Sequence, residues 1–127
     1  MSIFKLPLSL FILALFTNFI GFTQCGPTGV SASPSPALIC DGDSELMTFS
    51  ATGTCSANWE FQVQNGASIV QAWSTTATYT ATPSTTTTYT VYARCSACIG
   101  DIDSTELEIN VIEEPSVSGS LVVCSNT

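Results

Sequence analysis

Apolar and polar residues alternate one by one along most of the chain after residue 44, which is the pattern of half-buried β-strands. The alternation puts Met47, Phe49 and Ala51 on one face of the first such strand. No window after residue 24 shows the 3.6-residue period of a helix. The predicted strands cover about 45–51, 59–64, 67–73, 78–82, 88–94 and 106–112.

Turn signals separate these strands. Asn65-Gly66 is a strong hairpin signal, because both residues accept positive φ. Residues 95–103 are predicted to form a loop. The entry segment 25–38 carries three prolines, which suits an edge strand or a linker. About seven short strands at this spacing predict an all-β fold, an immunoglobulin-like β-sandwich.

One short phrase occurs twice. Val30-Ser31-Ala32-Ser33 leads to Ile39-Cys40, and Val117-Ser118-Gly119-Ser120 leads to Val123-Cys124. Self-similarity at a fixed period is the mark of a repeat architecture. The chain is therefore predicted to begin a tandem array, with 25–113 as the one complete domain and 114–127 as the truncated start of a second repeat.

Residues 1–24 read as a secretory signal peptide. Lys5 supplies the positive region, a long apolar stretch follows, and Thr23-Gln24 precede the predicted cut. Two alternatives remain, a transmembrane anchor and lipid attachment at Cys25. The uninterrupted apolar core, residues 10–16, is too short to span a bilayer, so no membrane span is expected after cleavage.

Composition excludes several functions. The chain has ten acidic residues, two basic residues and no histidine. After cleavage Arg94 is the only cation left, so the surface repels nucleic acid and anionic lipid. The lack of histidine excludes Ser-His-Asp catalysis, Cys-His catalysis and the common zinc sites. We predict that the module is not an enzyme.

Six cysteines follow the signal segment, and export makes disulfides the expected state. In an immunoglobulin-like sandwich, Cys25, Cys55, Cys95 and Cys98 would crowd one pole. Cys55 is predicted to bond to Cys95 or Cys98, and Cys25 to the one left over. Cys40 is predicted at the other pole, without a partner in its own domain, so that in an array it would bond to a cysteine of the next unit. The alternative is a Cys40–Cys98 bond, which becomes possible if Cys40 lies on an edge strand beside the strand 106–112.

The pair Cys95 and Cys98 also matches the Cys-x-x-Cys pattern. A redox site of that kind needs a βαβ context, and a zinc site needs a second pair of ligands. Two structural cysteines are the favoured interpretation.

Acidic residues offer a calcium hypothesis and no other cofactor. Asp41, Asp43 and Glu45 cluster before one strand, and Asp101 and Asp103 before another. Calcium accepts such oxygen ligands in flexible loops, and it would lie at a domain junction. Because the two clusters are predicted at opposite poles, one domain cannot bring all five together. The alternative is solvated turn acids.

Two further residues are candidates for glycan chemistry. Trp73, at the end of the strand 67–73, could be an aromatic platform for a sugar ring, or a packing residue. Asp103-Ser104-Thr105 resembles a short acceptor of O-glycosylation, which makes Ser104 the candidate.

A family resemblance rests on residues 28–112. Its marks are Cys-x-Gly-x-Ser at 40–44, Trp59, the phrase Thr-Pro-Ser-Thr-Thr-Thr-Thr-Tyr-Thr-Val at 82–91, and a cysteine-bearing loop after it. They resemble the Ig-like/PKD-like repeat of large secreted, type IX-exported surface proteins of the Bacteroidota. The resemblance implies a spacer or adhesive module and no catalytic residue. The cysteines at 25, 55 and 95 depart from the usual two-cysteine pattern.

The sequence thus predicts a non-catalytic extracellular repeat module, secreted or at the cell surface. Its partners would be neighbouring repeats of the same chain, and a surface glycan or protein. The alternative is an accessory or carbohydrate-binding module of a secreted enzyme whose catalytic domain lies beyond Thr127.

Signal cleavage is directly testable. Cleavage after Gln24 is expected, because a positive region, an apolar region and a polar exit follow one another there. Mass spectrometry of the exported protein should show Cys25 at the N-terminus. An exported protein that keeps residues 1–24, or that carries a diacylglycerol on Cys25, would contradict this prediction.

Overall fold

The computed structural model describes residues 24–113 and builds them from eight β-strands. The predicted signal peptide and the predicted second repeat lie outside this part, save for Gln24. The strands are β1 (Gly26–Ser33), β2 (Ala37–Cys40), β3 (Glu45–Thr54), β4 (Trp59–Asn65), β5 (Ser68–Ser74), β6 (Thr78–Ala81), β7 (Thr87–Cys95) and β8 (Cys98–Ile112).

The strands form two facing sheets, so the predicted all-β sandwich is confirmed. One sheet has the order β1-β3-β6, and the other has the order β2-β8-β7-β4-β5. All neighbours are antiparallel except β2 and β8, which run parallel. Within residues 24–113 no helix is long and apolar enough to cross a membrane.

The core lies between the sheets and is built by the alternation that the sequence shows. The inward residues of β7, Tyr89, Val91 and Ala93, are buried, while the residues between them, Thr90 and Tyr92, are half-buried. The same alternation buries Leu107 and Ile109 of β8. The other buried core residues are Ala37, Ile39, Met47, Phe49, Phe61, Val63 and Ala81. Apolar surface removed from water in this way is the main stabilising term.

Burial raises the pKa of Tyr89, because the ionised phenolate would lose its hydration in the core. The nearby Tyr79, whose ring centroid lies 6.2 Å away, adds to the shift. Tyr89 therefore stays a neutral packing residue over the physiological range.

The entry segment is more regular than a linker. β1 and β2 lie at edges of different sheets, β1 beside β3 and β2 beside β8. Pro34 and Pro36 fall between the two strands, where no ladder hydrogen bond is needed. The chain thus crosses from one sheet to the other at these prolines, and the count of strands rises from seven to eight.

The predicted loop at 95–103 is wrong. β7 continues to Cys95 and β8 already begins at Cys98, so only Ser96 and Ala97 form the turn. The register jumps from Arg94 opposite Ile102 to Cys95 opposite Cys98. The residues between them pack beside β1, where a Cβ added to Gly26 would lie 2.6 Å from the Cβ of Asp101. β8 therefore runs for 15 residues, from one pole of the sandwich to the other.

Two leucines offer a matched test of this core. Leu107 of β8 is fully buried, whereas Leu38 of β2 keeps 66% of its surface exposed. Leu107→Ala should lower the free energy of unfolding by about 2–5 kcal/mol, since it removes buried atoms and leaves a cavity. Leu38→Ala should change it by less than about 0.5 kcal/mol. Urea unfolding measures the free energy of unfolding of both variants. Equal losses would contradict the placement of Leu107 in the core and of Leu38 on the surface.

Candidate functional site

Four cysteines meet at one end of the sandwich, which we call the disulfide pole: Cys25, Cys55, Cys95 and Cys98. Cys55 bonds to Cys95 with 5.4 Å between their Cα atoms. Cys25 bonds to Cys98 with a Cα separation of 6.0 Å. This pairing is one of the two that the sequence left open. Each bond joins the three-stranded sheet to the five-stranded sheet.

The strand ends explain why these cysteines meet. Gly26, the first residue of β1, lies opposite Thr54, the last residue of β3, so the residues just outside them, Cys25 and Cys55, leave the same end of one sheet. Cys95 and Cys98 lie opposite each other across the β7–β8 turn at the same end of the other sheet. The turn is tied down further, because the Ser96 amide donates a hydrogen bond of 3.0 Å to the Asn58 carbonyl.

The two disulfides also lie beside each other. The Sγ atoms of Cys25, Cys95 and Cys98 all lie within 4.8 Å of one another. Cys95 is fully buried, whereas Cys25, Cys55 and Cys98 are half-buried. Since every cysteine of the pole is in a disulfide, the sulfurs are not available as thiolate ligands in this state.

Cys40 lies at the opposite pole. It ends β2 and lies opposite Ile112, near the end of β8. Cys40 is disulfide-bonded as well. Cys98 bonds to Cys25 and Cys95 bonds to Cys55, so the alternative Cys40–Cys98 bond does not form.

The acidic candidates for calcium fall into two separate places. Asp41 lies at the pole opposite the disulfides, where β8 ends at Ile112, which we call the exit pole. Its amide donates a 3.2 Å hydrogen bond to the Ile112 carbonyl. Asp43 and Glu45 follow it, while Asp101 and Asp103 lie near the start of β8. About ten residues of the extended strand β8 lie between the two groups of acids, which corresponds to a distance of about 33 Å. Among residues 24–113 no three carboxylates lie close enough together to share one ion.

Trp73 is half-buried and is stacked by a side chain of its own domain. The guanidinium carbon of Arg94 lies 4.2 Å from the centroid of the Trp73 ring. The Nε of Arg94 also donates to Oε2 of Glu60 at 2.7 Å, and both side chains keep 21% of their surface exposed. β5, β4 and β7 supply one member each, in the order Trp73, Glu60, Arg94 across the sheet.

This stack limits what Trp73 can do for a ligand. Cation–π contact with a guanidinium occupies one face of an indole. A sugar ring would need to stack on that same face. Only the part of Trp73 that Arg94 does not cover is therefore left for a glycan to contact. Sequence reasoning singled out Trp73 but missed Glu60 and Arg94. The sequence shows only that Glu60 and Arg94 carry charges of opposite sign on the outward faces of two strands. The pairing of β4 with β7 then places these two residues next to each other.

Ser104 is exposed, as a modification site must be, but it lies in the middle of β8 rather than in a loop. Its amide donates a 2.9 Å hydrogen bond to Oδ1 of Asp103. Glycosylation at Ser104 stays a prediction.

Comparison with known proteins supports the fold and goes no further. No family model matches the chain, and no curated protein matches it. Among solved structures it is similar to the fibronectin(III)-like modules of Clostridium thermocellum CbhA, with 16% identity and a TM-score of 0.50. That match covers 67% of this chain and 96% of the module. An engineered protein also matches, with 18% identity and a TM-score of 0.41. That match covers 68% of this chain and 21% of the engineered protein. The chain therefore has a fibronectin III-like, immunoglobulin-like fold.

The Trp73 stack can be tested with two variants of Arg94. Arg94→Ala removes the stack and the ion pair together and should lower the free energy of unfolding by about 1–2 kcal/mol. Arg94→Lys keeps the charge but loses the planar contact, so an intermediate loss is expected. Acrylamide quenching of tryptophan fluorescence should increase in Arg94→Ala. Unchanged quenching and stability would show that Arg94 does not cover Trp73.

Proposed function

We propose that this chain contributes a non-catalytic, fibronectin III-like module to a larger exported protein, where it acts as a spacer in a linear array. The observation that carries the proposal is the position of the two ends of the sandwich domain. Cys25 enters at the disulfide pole, and Ile112 leaves at the opposite pole after the full length of β8. A module with ends at opposite poles adds its length to an array.

The repeated phrase supports the same function. The second copy begins at Val117, shortly beyond the end of β8 at Ile112, so a new unit would start where the first one ends. Modules joined in this way stack end to end, and each module contacts only the modules directly before and after it.

An exported setting is supported by the chemistry of the chain. Disulfides form and persist in oxidising compartments, and every cysteine among residues 24–113 is disulfide-bonded. The net charge of −8 favours solubility and disfavours binding to nucleic acid. The finer assignment, an adhesive or spacer repeat of type IX-exported Bacteroidota surface proteins, rests on the phrase at 82–91. The accessory-module alternative has no observation of its own among residues 24–113.

The absence of catalysis is part of the proposal. A hydrolase needs groups that act together in a cleft. The acids at the two ends of β8 lie about 33 Å apart, and Glu60 is engaged by Arg94. The chain has no histidine to act as a base.

An end-to-end array can be tested with a tandem protein that keeps the natural period. Residues 25–127 followed directly by 44–113 place the second unit where Cys124 replaces Cys40. β8 alone spans about 46 Å, so small-angle scattering should give a maximum dimension of about 90–100 Å for two modules in line. The single chain 25–127 is the control. A maximum dimension near 60 Å would mean that modules pack side by side, and the spacer function would be wrong.

A further inference from the structure

We propose that the disulfide pole is a thiol–disulfide exchange site, at which an external thiol is captured on Cys25 and the displaced thiolate is relayed through Cys98 and Cys95 to Cys55. The ligand class is a small thiol or a cysteine-bearing protein. The inference does not depend on the spacer function, because it rests on the four cysteines alone.

The spacing of the sulfurs is the first observation. Exchange requires a thiolate to reach a sulfur of a neighbouring disulfide. The Sγ atoms of Cys25 and Cys98 both lie within 4.8 Å of the Sγ of Cys95, which belongs to the other disulfide. A side-chain rotation closes such a distance without any movement of the sheets.

Differences in burial set the direction of the relay. Cys95 is fully buried, so an external thiol cannot reach it directly. Cys25 and Cys55 are both half-buried and lie outside any strand, whereas Cys98 is the first residue of β8. Attack on Cys55 would expel the thiolate of the fully buried Cys95, where the charge would lose its hydration. Attack on Cys25 expels the half-buried Cys98 instead, so Cys25 is the entry point.

The backbone favours one product. Cys95 and Cys98 are opposite each other in the β7–β8 hairpin. Opposed residues of an antiparallel pair have Cα atoms about 4.5–5.5 Å apart, within the range that a disulfide needs. The freed thiolate of Cys98 therefore lies across the hairpin from its target.

The exchange is balanced and needs no oxidant. The external thiolate bonds to the Cys25 sulfur, and the Cys25–Cys98 bond breaks with its electron pair on Cys98. The Cys98 thiolate then bonds to the Cys95 sulfur, and the Cys55–Cys95 bond breaks with its pair on Cys55. One disulfide and one thiolate enter each step, and one of each leaves. The product carries the captured thiol on Cys25, a Cys95–Cys98 bond and a thiolate on Cys55.

The relay changes how the sheets are held. Both native bonds join one sheet to the other, whereas the Cys95–Cys98 bond lies within the β7–β8 hairpin. Capture of a thiol therefore releases the start of β1 and the segment after β3 from the five-stranded sheet.

A cysteine variant tests the relay without any added thiol. In Cys25→Ser, Cys98 begins as a free thiol next to Cys55–Cys95. After equilibration at mildly alkaline pH, acid quench, alkylation and peptide mapping, we expect an alkylated Cys55 and a Cys95–Cys98 peptide. The matched control is Cys25→Ser with Cys98→Ser, which has no attacking thiol. Alkylation of Cys55 should be at least roughly tenfold higher in the single variant than in this control.

The unaltered chain gives a second readout if the variant fails to fold. Incubation with reduced glutathione should place a glutathione adduct on Cys25 and a free thiol on Cys55. An adduct on Cys98, or an intact Cys55–Cys95 bond beside an opened Cys25–Cys98 bond, overturns the proposal. So does a Cys25→Ser protein in which Cys98 alone is alkylated.

Discussion

The covalent closure of the two sheets at one pole is the constraint on which the rest of the structure depends. The core between the sheets is modest, and the three-stranded sheet contributes few large buried side chains to it, chiefly Met47 and Phe49. In the chain-entropy model, closing the 40-residue separation between Cys55 and Cys95 stabilises by about 4 kcal/mol. The second closure, Cys25 to Cys98, contains the first, so the two contributions are not additive. A domain of this size has a total stability of only about 5–15 kcal/mol, so this closure is a large share of it.

The period of the hydrophobic pattern is why so much of the sandwich follows from the sequence. A strand with one face in the core must place its apolar residues at every second position, as Tyr89, Val91 and Ala93 do. The alternation of apolar and polar residues did not predict the structure of two segments. The entry 25–38 forms edge strands whose outer residues need no apolar partner. The start of β8 does not alternate, because β1 rather than the core lies beside it, and its Ile99 and Ile102 are exposed. Where a strand has little core to face, its sequence resembles a loop.

The two parts of the candidate site differ in the same way. The meeting of the four cysteines could be predicted, because a sandwich topology fixes which strand ends share a pole, but topology left open whether Cys55 takes Cys95 or Cys98. The stack of Arg94 on Trp73 could not be predicted. It depends on the register that puts Glu60 opposite Arg94, and on β5 lying beside β4. Register is set by the whole sheet, whereas alternation is a property of one strand.

The two poles have different chemistry, and this matters for an array. The exit pole carries Asp41 and Asp43, while Asp101 and Asp103 lie near the disulfide pole. End-to-end stacking would bring carboxylates of one module towards carboxylates of the next. Such like charges repel within a Debye length of about 8 Å at physiological ionic strength. A linear array therefore needs either a linker that keeps the poles further apart or a cation between them. The calcium hypothesis, which has no support inside one domain, survives only at such a junction, where two modules supply the oxygen ligands together.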